Sequence, residues 1–160
     1  MLHQRLTAVL QGMAVSYEIV LVNDGSQDRS LVILREIAAK DAHVRYLDLS
    51  RNFGHQIAVT AGLDHCLGKA VVIIDADLQD PPELIAELYQ RKNEGFEVVY
   101  ARRRQRKGEG FLKKWTARMF YRILRRLTKI EIPLDTGDFR IIDRKVVDVL
   151  KQMPEQNKFL

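Results

Sequence analysis

Three aspartates, Asp75, Asp77 and Asp80, fall within one short stretch, AVVIIDADLQDPPE (70–83), directly after an apolar run. Carboxylates repel one another and resist burial, so gathering them requires compensation. Asp75 and Asp77, two apart in what reads as an extended segment, point to one side. A divalent cation beside them removes the repulsion, and oxygen-only ligands select Mg2+ or Mn2+. Such a cation is suited to clamp a diphosphate. Asp80 has a simpler explanation. It precedes Pro81, Pro82 and Glu83, and Asp at the N-cap, Pro at the first helical position and Glu at the third make a strong helix start.

VNDGSQDRS (22–30) repeats the arrangement. Gly25 permits a tight turn after an apolar run, and Ser26 or Asp28 can cap the following helix. Asp24 is left over. Two readings stay open for it: an acid at a strand end that hydrogen-bonds a ribose or base edge, or a side chain that completes an Asx-turn.

The elements that must hold these clusters alternate along the chain. Strands are predicted at 18–24, 44–50, 70–75, 97–101 and 139–144. Helices are predicted at the start of the chain and at 30–40, 55–67 (ended by Gly68), 82–94 (capped by Gly95), 111–129 and 145–153. Strand–helix alternation with continuous apolar strands predicts an α/β fold, a mostly parallel sheet with helices on both faces. In open sheets of this kind ligands bind beyond the carboxyl ends of the strands, where Asp24, Asp75 and Asp77 all lie. No repeat, low-complexity tract or linker interrupts the pattern, and residues 1–160 read as a single domain.

One cysteine, Cys66, excludes an internal disulfide framework and a cysteine-based zinc site; it reads as a small buried apolar residue. No run approaches the ~20 apolar residues of a membrane span, and no signal-peptide pattern opens the chain. The net charge of +5 conceals an asymmetry: residues 102–129 hold twelve Lys or Arg against one acid, Glu109, so the remainder is net acidic. A basic block on an acidic protein suggests a polyanionic partner. Its apolar residues, including Trp115, Phe120 and Leu124, fall near helical spacing among Lys and Arg. That pattern fits either a helix packed on the sheet or a face laid on an anionic membrane surface. The same residues would suit nucleic-acid binding through phosphate contacts and stacking. Against this, the basic residues cluster on one helix and the loop before it, and no reader motif accompanies them. The expectation is therefore no nucleic acid.

Four segments taken together, VNDGSQD, NFGHQIAVTAGLDHC, DADLQDPPE and DTGDFRIIDR, resemble the family-2 glycosyltransferases of the polyprenyl-phosphate branch, and most closely the bacterial bactoprenol glucosyltransferases. The resemblance runs from about residue 17 to the end, with the motifs in the family's order. It implies a GT-A fold, a nucleotide-sugar donor (a UDP-sugar, UDP-glucose foremost, or GDP-mannose), Mg2+ or Mn2+, and a polyprenyl phosphate acceptor such as undecaprenyl phosphate. It also implies inverting transfer at the cytoplasmic face of the inner membrane. By the same resemblance Asp24 contacts the donor nucleoside, Asp77 and Gln79 ligate the metal, and Asp75 lies nearer the nucleotide. Arg102 and Arg103 bind phosphate, and Asp138 and Arg140 face the reacting centre. For Asp138 three roles stay open: general base, orientation of acceptor or donor hydroxyls, and structure. His55 and Gln56 either line the crevice or simply start a helix. His43 and His65 read as surface residues.

Family members begin with a further strand and continue into membrane helices, so the resemblance predicts a chain truncated at both ends. It leaves a catalytically inactive fragment that binds nucleotide or membrane as the competing reading. Homo-oligomer formation is compatible with either.

Overall fold

The computed structural model describes residues 1–102 and 136–153; the predicted basic helix 111–129 and Arg103 lie outside the described residues. Helix α1 (Leu2–Gly12) leads to strand β1 (Ile19–Asn23), α2 (Ser30–Lys40), β2 (Val44–Asp48), α3 (His55–His65) and β3 (Ala70–Ile73). A single 3-10 turn (Pro82–Leu84) then runs into α4 (Ile85–Asn93). Strand β4 (Val98–Arg102), β5 (Thr136–Asp143) and α5 (Arg144–Gln152) complete the order. Residues 1–100 and 138–153 belong to one compact unit.

The predicted alternation is present. β1 and β2 pair in parallel, from Ile19 opposite Val44 to Asn23 opposite Asp48. β3, β5 and β4 form a second group in that order. β5 runs antiparallel to β3, from Ala70 opposite Asp143 to Ile73 opposite Arg140. The pair joined by the α2 crossover is thus parallel, and the pair made by β5 with β3 antiparallel.

β5 shows why both faces are covered. Phe139 and Ile141 are almost fully buried on one side. On the other, Ile142 packs with Leu63, Cys66, Ile73 and Val147, the last fully enclosed. Two-residue alternation therefore buries both sides of one strand. Cys66 is a buried member of that core, as its composition suggested, and its Sγ–H donates to the Leu63 carbonyl. α5 begins at Asp143, whose carboxylate accepts the Lys145 N–H at 3.0 Å, a side-chain N-cap.

Several boundaries differ from those predicted. α3 ends at His65, not 67, because Cys66 turns to extended backbone. There the guanidinium of Arg144 donates to the Gly68 and Cys66 carbonyls and tethers the turn. Strand β3 stops at Ile73, so Asp75 and Asp77 lie in a loop rather than an extended segment, and alternation does not govern where they point. Asp80 is not the N-cap: that position is Pro81, and Pro82 takes the first helical position. With two prolines in succession, it is the second that starts the helix. Asp80 is buried ahead of it, and Glu83 instead accepts two hydrogen bonds from Arg5 of α1, at 2.9 and 2.6 Å. Gly95 follows α4 as predicted, at φ +108°, with its N–H on the Lys92 carbonyl.

A candidate active site at the strand ends

The antiparallel register builds the site. β5 continues two residues beyond its last pair with β3, Ile73 opposite Arg140, to reach Asp138, and the loop that follows β3 carries Asp75. Alternation along β5 places Asp138 and Arg140 on the face that carries Ile142. α3 covers that face, with Leu63 packed against Ile142. From Leu63 back to His55 the helix climbs about 12 Å, and from Ile142 back to Asp138 the strand climbs about 14 Å. The two rises match, and His55, the first residue of α3, arrives at Asp138.

Its Nε2 lies 2.9 Å from Asp138 Oδ2 and its Nδ1 3.9 Å from Asp75 Oδ1. The other oxygen of Asp138 meets the guanidinium of Arg140 at 3.3 Å. The Nε of Arg140 is buried with no partner among the described residues. His55, Asp75 and Asp138 are each partly open to solvent, so a ligand can reach all three. Partial burial pushes the Asp75 carboxyl above its ordinary range; His55 opposes the shift, while Asp138, Asp77 and Asp80 add repulsion.

One potential ligand atom from each of His55, Asp75 and Asp138 falls within 4.8 Å of the others. An acidic cluster whose central carboxyl is held above its usual range fits a divalent cation, which would relieve both the desolvation and the repulsion. Asp77 and Gln79, the ligands the resemblance implied, stand just beyond this cluster. Both are exposed, and Asp77 Oδ1 accepts the Gln79 backbone N–H at 3.0 Å. Leu78 between them takes φ +63°, the left-handed conformation that turns the loop. Asp75 and Asp77 are close enough to repel, yet the structure groups Asp75 with Asp138 and His55.

The Asx-turn reading of Asp24 is not met. The Asx-type contact in its loop belongs to Asn23, whose Oδ1 accepts the Ser26 N–H and whose Nδ2 donates to Asp48. Asp24 reaches across instead to the loop before α3: Oδ1 accepts the Phe53 N–H at 2.7 Å and Oδ2 the Gly54 N–H at 2.9 Å. Gly25 lets the two loops touch. It sits at φ +64°, and a Cβ there would stand 2.3 Å from the carbonyl carbon of Arg51. Neither Ser26 nor Asp28 caps α2: the N-cap is Arg29, with no side-chain cap bond, and Asp28 just before it accepts the Ser30 N–H at 2.9 Å. Arg102 is the last residue of β4.

Of the residues singled out from sequence, the structure brings together Asp75, Asp138 and Arg140. It places Asp77 and Gln79 on the adjoining loop and Asp24 on the loop that seats α3. His55 is the member whose role the sequence left undecided. Its signal was weak, a histidine at a helix start, because its partners lie 20 and 83 positions away, at Asp75 and Asp138.

An α/β sheet with an acidic cluster and a basic partner at its strand ends fits the GT-A fold of glycosyltransferases. The chain belongs to glycosyl transferase family 2, whose family model matches residues 1–150. It is 58% identical over 158 residues to an uncharacterized glycosyltransferase of Bacillus subtilis, YkcC, covering 99% of this chain and 49% of that protein. It is 43% identical over 143 residues to a prophage bactoprenol glucosyl transferase homolog of Escherichia coli K12, covering 89% of this chain and 47% of that protein. The chain thus spans about half the length of the curated relatives it matches. Among solved structures it is similar to a mannosyltransferase of Pyrobaculum calidifontis in complex with GDP-Man and Mn2+. That match has a TM-score of 0.60 and 20% identity, and covers 92% of this chain and 42% of the other.

Proposed function

We propose that the chain is the catalytic portion of an enzyme that transfers a sugar, glucose foremost, from a nucleotide-sugar donor to a polyprenyl phosphate such as undecaprenyl phosphate, with inversion. The observation that carries this reading is the convergence of Asp75, Asp138 and His55, from three separate stretches, on one partly open cluster at the strand ends. The bactoprenol glucosyl transferase relatives support the lipid acceptor.

In this reading Asp77 and Gln79 hold Mg2+ or Mn2+, with Asp24 on the nucleoside side, Asp75 nearer the nucleotide and Arg102 and Arg103 on phosphate. When bound, the cation neutralises charge that grows on the leaving diphosphate. The chain's own residues then have a limited task. The acceptor phosphate, with a second pKa of about 6, is already largely ionised near neutral pH and needs little help from a base. Asp138 is held at both oxygens, by His55 and by Arg140, which makes it a good fixed reference for the acceptor or for donor hydroxyls. Arg140 carries positive charge to the same point. The basic segment 102–129 draws the enzyme to the anionic cytoplasmic leaflet.

Calorimetry of UDP binding tests the reading. Affinity rises when Mn2+ or Mg2+ is added, and Asp77→Asn removes that gain. Equal UDP affinity with and without cation in a folded sample overturns the metal assignment.

A further inference from the structure

Each ring nitrogen of His55 faces a different carboxylate, Nε2 toward Asp138 at 2.9 Å and Nδ1 toward Asp75 at 3.9 Å. Only the Asp138 contact is of hydrogen-bond length; Nδ1 faces Asp75 without bonding it. The ring stands between an acid of the β3 loop and an acid of β5. Its backbone is fixed as well: the two residues before it, Phe53 and Gly54, give their N–H groups to the two oxygens of Asp24. Gly54 is the N-cap of α3. Asp138 is held at both oxygens, by His55 on Oδ2 and by Arg140 on Oδ1.

We propose that His55 is a positioning residue: seated between Asp75 and Asp138, it fixes the Asp138 carboxylate on the acceptor side of the site and keeps the two acids separate, without ligating the cation. This rests on the transferase reading for what Asp138 contacts, and on geometry alone for the contact itself. Positioning acts on the transition state, where a displacement of about 1 Å costs on the order of 100-fold in rate. Donor and cation binding are left nearly intact.

Two measurements test it on the protein as it exists. In sugar transfer to undecaprenyl phosphate, His55→Ala lowers kcat about 10- to 100-fold. Donor KM and the Mn2+-dependent gain in UDP affinity stay within about 2-fold of the parent protein. His55→Gln, which keeps one polar group at the position, recovers kcat to within about 5-fold. Adding His55→Ala to Asp138→Ala costs nothing further, since both remove one interaction. A tenfold or larger loss of Mn2+-dependent UDP binding in His55→Ala makes His55 a ligand and overturns the proposal, as do additive losses in the double variant. The second measurement needs no activity. At fixed pH the ring 15N resonances of His55 move in Asp138→Ala, while those of His3, His43 and His65 do not. An unmoved His55 overturns the contact. If the parent protein transfers no sugar while the His55 resonances still move, the functional reading falls and the positioning contact stands.

Discussion

Replacing Gly25 by Ala places a methyl group where the backbone of another loop already is. The added Cβ would stand 2.3 Å from the carbonyl carbon of Arg51 and 2.5 Å from the nitrogen of Asn52, against ordinary contacts of 3.4 Å and beyond. The loops must part by about 1 Å, and the neighbour is main chain, which has no rotamer to give. A left-handed conformation in a non-glycine residue costs about 1–2 kcal/mol. Separating the loops also stretches the paired hydrogen bonds from Phe53 and Gly54 to Asp24, and a hydrogen bond to a charged acceptor contributes about 1.5–3 kcal/mol. The expected loss is about 3–4 kcal/mol. Gly95→Ala is the control. Its φ is also positive, at +108°, but a Cβ there meets nothing within 4 Å, so only the conformational cost of about 1–2 kcal/mol applies. With a urea m-value of about 2 kcal/mol/M, Gly95→Ala lowers the midpoint by about 0.5–1 M and Gly25→Ala by about 1.5–2 M. Midpoint shifts equal within about 0.3 M would refute the claim that the close approach of the two loops, rather than glycine's backbone freedom, makes Gly25 necessary.

Asp75→Asn should raise the urea midpoint near neutral pH while weakening cation-dependent UDP binding. The folded-state carboxyl of Asp75 is raised, chiefly by burial, so its ionised form disfavours folding above that pKa and the penalty fades as pH falls; an unchanged or lower midpoint at pH 7 would count against this. Asp41 behaves in the opposite sense. The His43 backbone N–H, together with the His3 and His43 side chains, holds its carboxyl down at about 2 against an ordinary 3.8, so its contribution is complete above about pH 4 and is lost as pH falls through about 2. Asp41→Asn should therefore flatten the acid limb of a stability-against-pH curve between those values.

Much of the fold was legible because it rests on local periodicity. The apolar runs that became β1, β2 and β3 and the helical spacing of 30–40 need no distant partner to be recognised. Asp75 was legible for the same reason, an acid directly after such a run. The rest depended on pairing. The β3–β5 pairing that brings Asp138 beside the loop after β3 joins segments 67 residues apart at Ile73 and Arg140, and nothing local announces it. The two loop hydrogen bonds of Asp24 are equally long-range, so a turn-residue reading could not anticipate them. The expected alternation of Asp75 and Asp77 failed because β3 ends at Ile73 and a left-handed Leu78 turns the loop. Asp80 was misread because either of two consecutive prolines can open a helix, and packing rather than sequence selects the second.

β5 takes the place between β3 and β4, and this fixes an order of assembly. Until the chain has passed Asp143, β3 and β4 each lack the neighbour that joins them. Pairing β1 with β2 closes a separation of 25 residues, from Ile19 to Val44, whereas the nearest β3–β5 pair closes 67, from Ile73 to Arg140. The longer closure costs about 0.9 kcal/mol more in chain entropy, roughly a fivefold slower search by that factor alone. The β1–β2 half with its helices can therefore form first, with the acids of the β3 loop not yet joined by Asp138. The same strand that seals the hydrophobic core through Phe139, Ile141 and Ile142 delivers Asp138 to His55. Completion of the core and completion of the site thus depend on the same strand, and without it a sheet edge and an acidic cluster are left unfinished together.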